Sequence, residues 1–324
     1  MASFPQTLKR IRQNPVAQAE LNHQQRSTTT QQKWKRFPTI FGIALVIGLL
    51  SYLAVLSTPE LAALLTPLIG LPESELDVLL RGWFDTITIL IGALIMIHHL
   101  AFATAALQVA AASISREKNG RTWESLLLTG MDARQIIYGK WSATLRTLWE
   151  AYCPLFFLRL AVALWMGAAS GATRFNPYFS PPSLLDILLI GGITALFPLC
   201  YAGFTVMLGL LASLMVTSEI AAHRVASALH FSTIVLSLCF ILATFALPYY
   251  DIDPALVSMI PALFVTPLDG GMLALVGMIA SNGSISRHYL LGLLLCGALY
   301  AGLTWLGLRG AQRLAIRQRA LPPT

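Results

Sequence analysis

The side chains best suited to chemistry in this chain stand inside its most apolar runs. Arg159 lies within LFFLRLAVALW, and the pair His98-His99 lies within GALIMIHHLAFA. A cation in the middle of a bilayer-spanning helix costs about 2.5–3.5 kcal/mol on insertion scales unless it faces a partner or water. Arg159 therefore has two readings: a functional cation, or a structural arginine satisfied by backbone carbonyls or by His98 or His99. Glu150 sits too far along the same run to pair with it directly. On a helix His98 and His99 point about 100° apart, so at most one of them faces a given site. No carboxylate or cysteine is spaced to join them as ligands, and no metal site is expected. The four cysteines, Cys153, Cys200, Cys239 and Cys296, lie within apolar runs and form no Cys-x-x-Cys pair, so no disulfide framework is expected either. Proteolysis or acyl transfer would need a motif such as His-Glu-x-x-His, Gly-x-Ser-x-Gly or Gly-x-Gly-Asp, and the chain has none. Tyr250-Asp251 and Asp269 alone are too little for catalysis, and the chain reads as a non-enzyme.

A second concentration of polar residues lies between two apolar runs, in REKNGRTWESLLLTG, Arg116 to Gly130. Gly120 can end the helix that precedes it, and Thr122 can cap a new one. Trp123, Leu126 and Leu127 then fall at i, i+3 and i+4 and form one apolar face, with Glu124, Ser125 and Thr129 off it. Gly130 stops this short helix, and Asp132 is placed to cap the next, which carries Ile136, Ile137 and Tyr138 towards Gly139-Lys140. The short helix can rest on lipid headgroups, or its exposed side can meet another protein.

The elements that position these residues follow from composition. Hydrophobic residues make up 56% of the 324 and charged residues 11%, and the mean hydropathy is +0.67, which together exclude an ordinary soluble domain. A bilayer leaves no backbone amide unpaired, so long unbroken apolar runs read as helices of roughly 20 residues. Six spans are expected: Pro38 to Ser57, Phe84 to Ser113, Ala151 to Ala169, Leu185 to Val216, Val225 to Leu247 and Tyr289 to Leu308. Basic residues set the orientation. With six spans, Lys9, Arg10, Arg12, Arg26, Lys33, Lys35 and Arg36 lie inside with Arg116, Lys118, Arg121, Arg134, Lys140, Arg146, Arg224, Arg309, Arg313, Arg317 and Arg319, which is most of the 22 Lys and Arg.

The expected architecture is thus an all-α integral membrane protein with both termini cytoplasmic. It comprises an N-terminal interfacial segment (1–37), a six-span domain (38–308) with a cytoplasmic loop (114–149), and a basic cytoplasmic tail (309–324). Residues 253–286 are apolar but broken by Pro261, Pro267 and Gly270-Gly271. A seventh span there would carry the tail arginines outside, so this region reads as external helices that dip into the membrane. Asn14 can cap a short helix over NPVAQAEL, either an amphipathic helix on the membrane surface or part of a disordered tail, followed by a polar connection from His23 to Arg36. No cleavable signal peptide is expected. The formal charge of +7 finds its counter-ions in anionic lipid headgroups. No basic patch is interleaved with aromatics, so nucleic acid is not an expected partner. A bacterial inner (cytoplasmic) membrane is the expected location.

Arg116-Glu117, Gly120, Thr122, Glu124, Leu126-Leu127, Thr129, Ile136-Ile137 and Gly139-Lys140 resemble a pattern found in membrane subunits of type-two, exporter-class ABC transporters. In that pattern R-E-x-x-x-G-T-x-E-x-L-L-x-T-P is followed by I-x-x-G-K. Here Arg121 separates the glycine from the threonine, and Gly130 stands in place of the proline. Asn14-Pro15-Val16 with Glu20-Leu21 is similar to the N-terminal interfacial segment of such permeases, with Ala19 where a basic residue is usual. The resemblance implies that the loop between spans two and three holds a coupling helix docked on a cytoplasmic ATP-binding subunit. Glu117, Gly120, Thr122, Trp123, Glu124, Leu126 and Leu127 would form that coupling region. Trp123, Leu126 and Leu127 would be its docking face or its membrane-side packing, and Glu117 and Glu124 its polar contacts. It also implies a second permease copy or a similar permease as partner, and a transport path along spans two and five. The chain has no Gly-x-x-x-x-Gly-Lys-[Ser/Thr] phosphate loop, so it carries no cofactor of its own and ATP would bind the partner. The alternative is a membrane scaffold or regulatory protein that uses the same loop to bind a partner other than an ATPase.

Overall fold

Apolar runs this long close their hydrogen bonds within the segment, and the computed structural model shows them doing so as helices. It describes residues 14–27, 66–128, 131–172, 184–246, 263–271 and 283–320. The main helices are α1 (Pro15–Ser27), α2 (Glu73–Asn119), α3 (Thr122–Leu128), α4 (Ala133–Ala172), α5 (Leu184–Met215), α6 (Glu219–Ala246) and α7 (Gly283–Ala320). All secondary structure among the described residues is helical. Four stretches are long and apolar enough to cross a membrane: Gly92–Asn119, Gly191–Met215, Glu219–Leu242 and His288–Gln318. These match the expected second, fourth, fifth and sixth spans. The stretch expected as the third falls in the C-terminal half of α4 and is not among these four, and the expected first lies outside the described residues.

α5 is the centre of the bundle, packing on α2, α4, α6 and α7. Its most apolar stretch is 78% buried, against 17% for that of α6, so α5 is core and α6 presents most of its apolar surface outward. Small residues let α2 and α5 approach closely, as in other membrane bundles. A Cβ on Gly209 would come within 2.7 Å of both the Ala110 Cβ and the Leu107 carbonyl oxygen.

Several helices run further than expected. α1 continues to Ser27, into the stretch read as polar connection. α4 is one helix of 40 residues that runs through Pro154, about 60 Å long. The expected basic tail is no separate segment, because residues up to Ala320 continue α7. Of the region 253–286, residues 263–271 and the start of α7 are described. A short helix over 263–269 ends at Gly270-Gly271, both with positive φ (67° and 91°).

Candidate functional site

The motif-bearing loop and the N-terminal helix meet at one end of the bundle, around a buried ion-pair network. Asn14 caps α1, its Oδ1 accepting from the Val16 amide at 3.0 Å, while its Nδ2 donates to the Gln135 carbonyl in the first turn of α4 at 2.6 Å. The α1–α4 approach is close because Gly139 has no side chain. A Cβ there would meet Asn14 Nδ2 at 2.8 Å and Val16 Cβ at 3.2 Å.

Next to Gly139 on α4, Lys140 is fully buried and donates from Nζ to Glu20 Oε2 at 3.0 Å, Glu117 Oε1 at 2.6 Å and Ser113 Oγ at 3.1 Å. The other oxygen of Glu20 accepts from Arg116 Nη2 at 3.3 Å, and Arg116 also contacts His23 Nε2 at 2.9 Å. Glu20 on α1 is thus bridged to both α2 and α4. A buried cation with two carboxylates and a hydroxyl has replaced most of what water offered it, which is the condition for an ion pair to persist in a low-dielectric site. Beside the network lies a cavity of about 340 Å³, lined by Val16, Glu20, His23, Arg116, Glu117 and Leu126 among others.

The turn into α3 departs from the sequence reading. Gly120 closes α2 with an ordinary φ of −80°, and the left-handed residue is Arg121 (φ 54°), the residue that separates the glycine from the threonine. Thr122 does not cap α3 from outside: it is the first helical residue, and its hydroxyl donates back to the Glu117 carbonyl at 3.3 Å. Asp132 does cap α4, its Oδ1 accepting from the Arg134 amide at 3.1 Å. Trp123 is 5% exposed and belongs to the hydrophobic core, and Leu126 packs against that core. These two side chains therefore face the bundle, and Ser125 is exposed on the other side of α3. The side chains of Glu124 and Leu127, and residues Thr129 and Gly130, lie outside the described residues.

At the other end of α4 the structure brings Arg159 and His99 together against residues 263–271. Arg159 Nη1 donates to the Gly270 carbonyl at 2.9 Å and Nη2 to the Ile95 carbonyl at 3.4 Å. His99 Nε2 donates to the Pro267 carbonyl at 3.1 Å. Two of the three Arg159 nitrogens thus meet backbone carbonyls, Nε has no hydrogen-bond partner among the described residues, and neither histidine bonds to the guanidinium. His98 points elsewhere and stacks on Phe102. Among the described residues no group of three or more His, Cys, Asp or Glu could hold a metal ion, and all four cysteines are free.

Glu20 and Lys140 are the residues that sequence reasoning did not select as a site. Each was noted within a motif, and Lys140 was counted among the orienting charges. They are 120 positions apart, so no local spacing pairs them. Lys118 was likewise counted only among the orienting charges: its Nζ donates to the carbonyls of Ser213, Leu214 and Val216, satisfying the end of α5 from a neighbouring helix.

No protein-family model matches the chain, and no curated protein matches it. The helices themselves define a multi-pass α-helical membrane protein.

Proposed function

We propose that the chain is the permease subunit of an ATP-binding cassette exporter, with six spans, both termini cytoplasmic, and a location in the inner membrane. The observation that carries this reading is the Glu20–Lys140–Glu117 network. It binds an N-terminal helix, the end of one long helix and the start of another into one unit, with α3 packed on the end of α2 and leading in sequence to α4. A short helix mounted this way would pass a push from outside to α2 and α4 together, which coupling to an ATPase requires. With Trp123 and Leu126 turned to the bundle, the outward side of α3, including Ser125, is left for contact with the ATP-binding subunit. ATP would bind that subunit, and two permease copies, or this chain with a similar one, would form the path. Residues 263–271, held by Arg159 and His99, would be the part of the external region that dips into the membrane.

The test is purification of the tagged chain in mild detergent, with its companions identified by mass spectrometry. A Walker-motif ATPase in near-equal amount is the expected result. Its absence would favour a scaffold that uses the same loop for another partner.

A further inference from the structure

The exposed ridge of α7 changes character abruptly. Leu291, Leu295, Leu299, Gly302 and Leu306 succeed one another at spacings of three and four and face outward; the same ridge then continues as Arg309, Arg313 and Arg317, all exposed. The opposite face, with Leu293, Cys296, Tyr300, Leu308, Ala311 and Ala315, is buried in the bundle, and Gln318 Nε2 donates to the Leu214 carbonyl at 2.6 Å. α7 is therefore held from Leu293 to Gln318, with its arginines on the outward side. None of the three makes an ion pair among the described residues. At the switch from leucine to arginine the Arg309 guanidinium lies over the Trp305 ring, 3.6 Å from its centroid, and Trp305 is itself half exposed.

An outward apolar ridge faces acyl chains, and an amphipathic tryptophan settles at the level of the headgroups. Arginines placed just beyond it, without carboxylates of their own, lie at the depth of lipid phosphates, to which guanidinium groups bind in planar two-point fashion.

We propose that Arg309 and Arg313, with Trp305 as the floor, form a binding site for the headgroup of an anionic phospholipid in the leaflet that surrounds the C-terminal end of α7. Arg317, two turns beyond Arg309, extends the site outward from the membrane. The site is independent of whether the chain is a permease.

The experiment is native mass spectrometry of the delipidated full chain, titrated with phosphatidylglycerol and with phosphatidylcholine. With about 1 kcal/mol for each arginine near the surface, the two arginines give phosphatidylglycerol a preference of about 30-fold. Arg309→Gln/Arg313→Gln removes most of that preference, and Arg309→Lys/Arg313→Lys keeps a larger part. All four changes are at exposed positions, so the thermal midpoint in neutral detergent stays that of the parent chain. On the unaltered chain, brominated phosphatidylglycerol quenches tryptophan emission more than brominated phosphatidylcholine does, and Trp305→Phe abolishes the difference. This second measurement decides the matter if the glutamine variant fails to fold. Equal binding of both lipids, or an undiminished preference in the glutamine variant, overturns the proposal. So does displacement of the lipid by an equal concentration of inorganic phosphate, which would mark a site for free anions. If the glutamine variant keeps its lipid preference but loses a companion protein, the ridge is a protein dock and the proposal fails.

Discussion

Replacing Lys140 by methionine keeps the length of the side chain and removes its charge, which strands the two carboxylates it serves. In the native arrangement Nζ reaches Glu20 at 3.0 Å, Glu117 at 2.6 Å and the Ser113 hydroxyl at 3.1 Å from a position with no solvent exposure. Removing one member of a buried ion pair costs about 3–5 kcal/mol, because the remaining charge is left without compensation. Glu20 keeps Arg116, so its loss is partial, whereas among the described residues Glu117 Oε2 has no hydrogen-bond partner and Oε1 loses the one ion pair it makes. The expected cost for Lys140→Met is therefore about 3 kcal/mol, the lower end of that range. Glu117→Gln added to Lys140→Met should recover part of it, a coupling of about 1–2 kcal/mol. The assay is reversible denaturant titration of the purified chain in micelles, followed by helical circular dichroism. A loss below about 1 kcal/mol for Lys140→Met, or a double variant that is merely the sum of the singles, would refute the view that the network stabilises this end of the bundle.

Three further outcomes are expected. Arg121 holds a left-handed backbone, so Arg121→Gly should raise stability by about 1 kcal/mol in the same titration, and a loss would contradict the turn described. Arg159→Leu removes the donor that Arg159 gives the Gly270 carbonyl, at about 1–3 kcal/mol for one unsatisfied group, while the Ile95 carbonyl keeps its bond within α2. It should also speed thiol labelling of a Thr266→Cys reporter, a position 1% exposed in the native chain; unchanged labelling would show that Arg159 does not hold residues 263–271. Glu124→Lys reverses a charge on α3 without altering a span, so membrane insertion should be intact while ATPase copurification falls at least several-fold, and an unchanged yield of the ATPase would count against α3 as the coupling element.

The bundle was legible because a bilayer permits so few alternatives. α5, expected from Leu185 to Val216, runs from Leu184 to Met215, since apolar residues fill it and polar or proline-bearing stretches flank it. Helix ends were harder where charge read as a terminus: Arg309, Arg313 and Arg317 looked like a tail, yet arginine is a good helix former and α7 continues through them. The site was legible in part. Asn14, Glu20, Gly139 and Lys140 could be noted as motif residues, but that the glycine makes room for Asn14 while the lysine bridges Glu20 and Glu117 is a tertiary fact. Arginine itself gives no hint of the positive φ at Arg121, although the resembled pattern, aligned from Arg116, has its glycine at that position.

The uninterrupted course of α4 couples two places that share no contact. Lys140 and Arg159 are 19 residues apart on it, about 28 Å along the axis. Moved as one body, a helix of that length would act as a lever: a tilt of about 10° at the Lys140 end would carry Arg159 about 5 Å sideways, more than the reach of its bond to Gly270. The grip on residues 263–271 would then have to break or travel with the arm, so a displacement imposed at the α1–α3 end would reach Arg159 without any relay of intervening side chains.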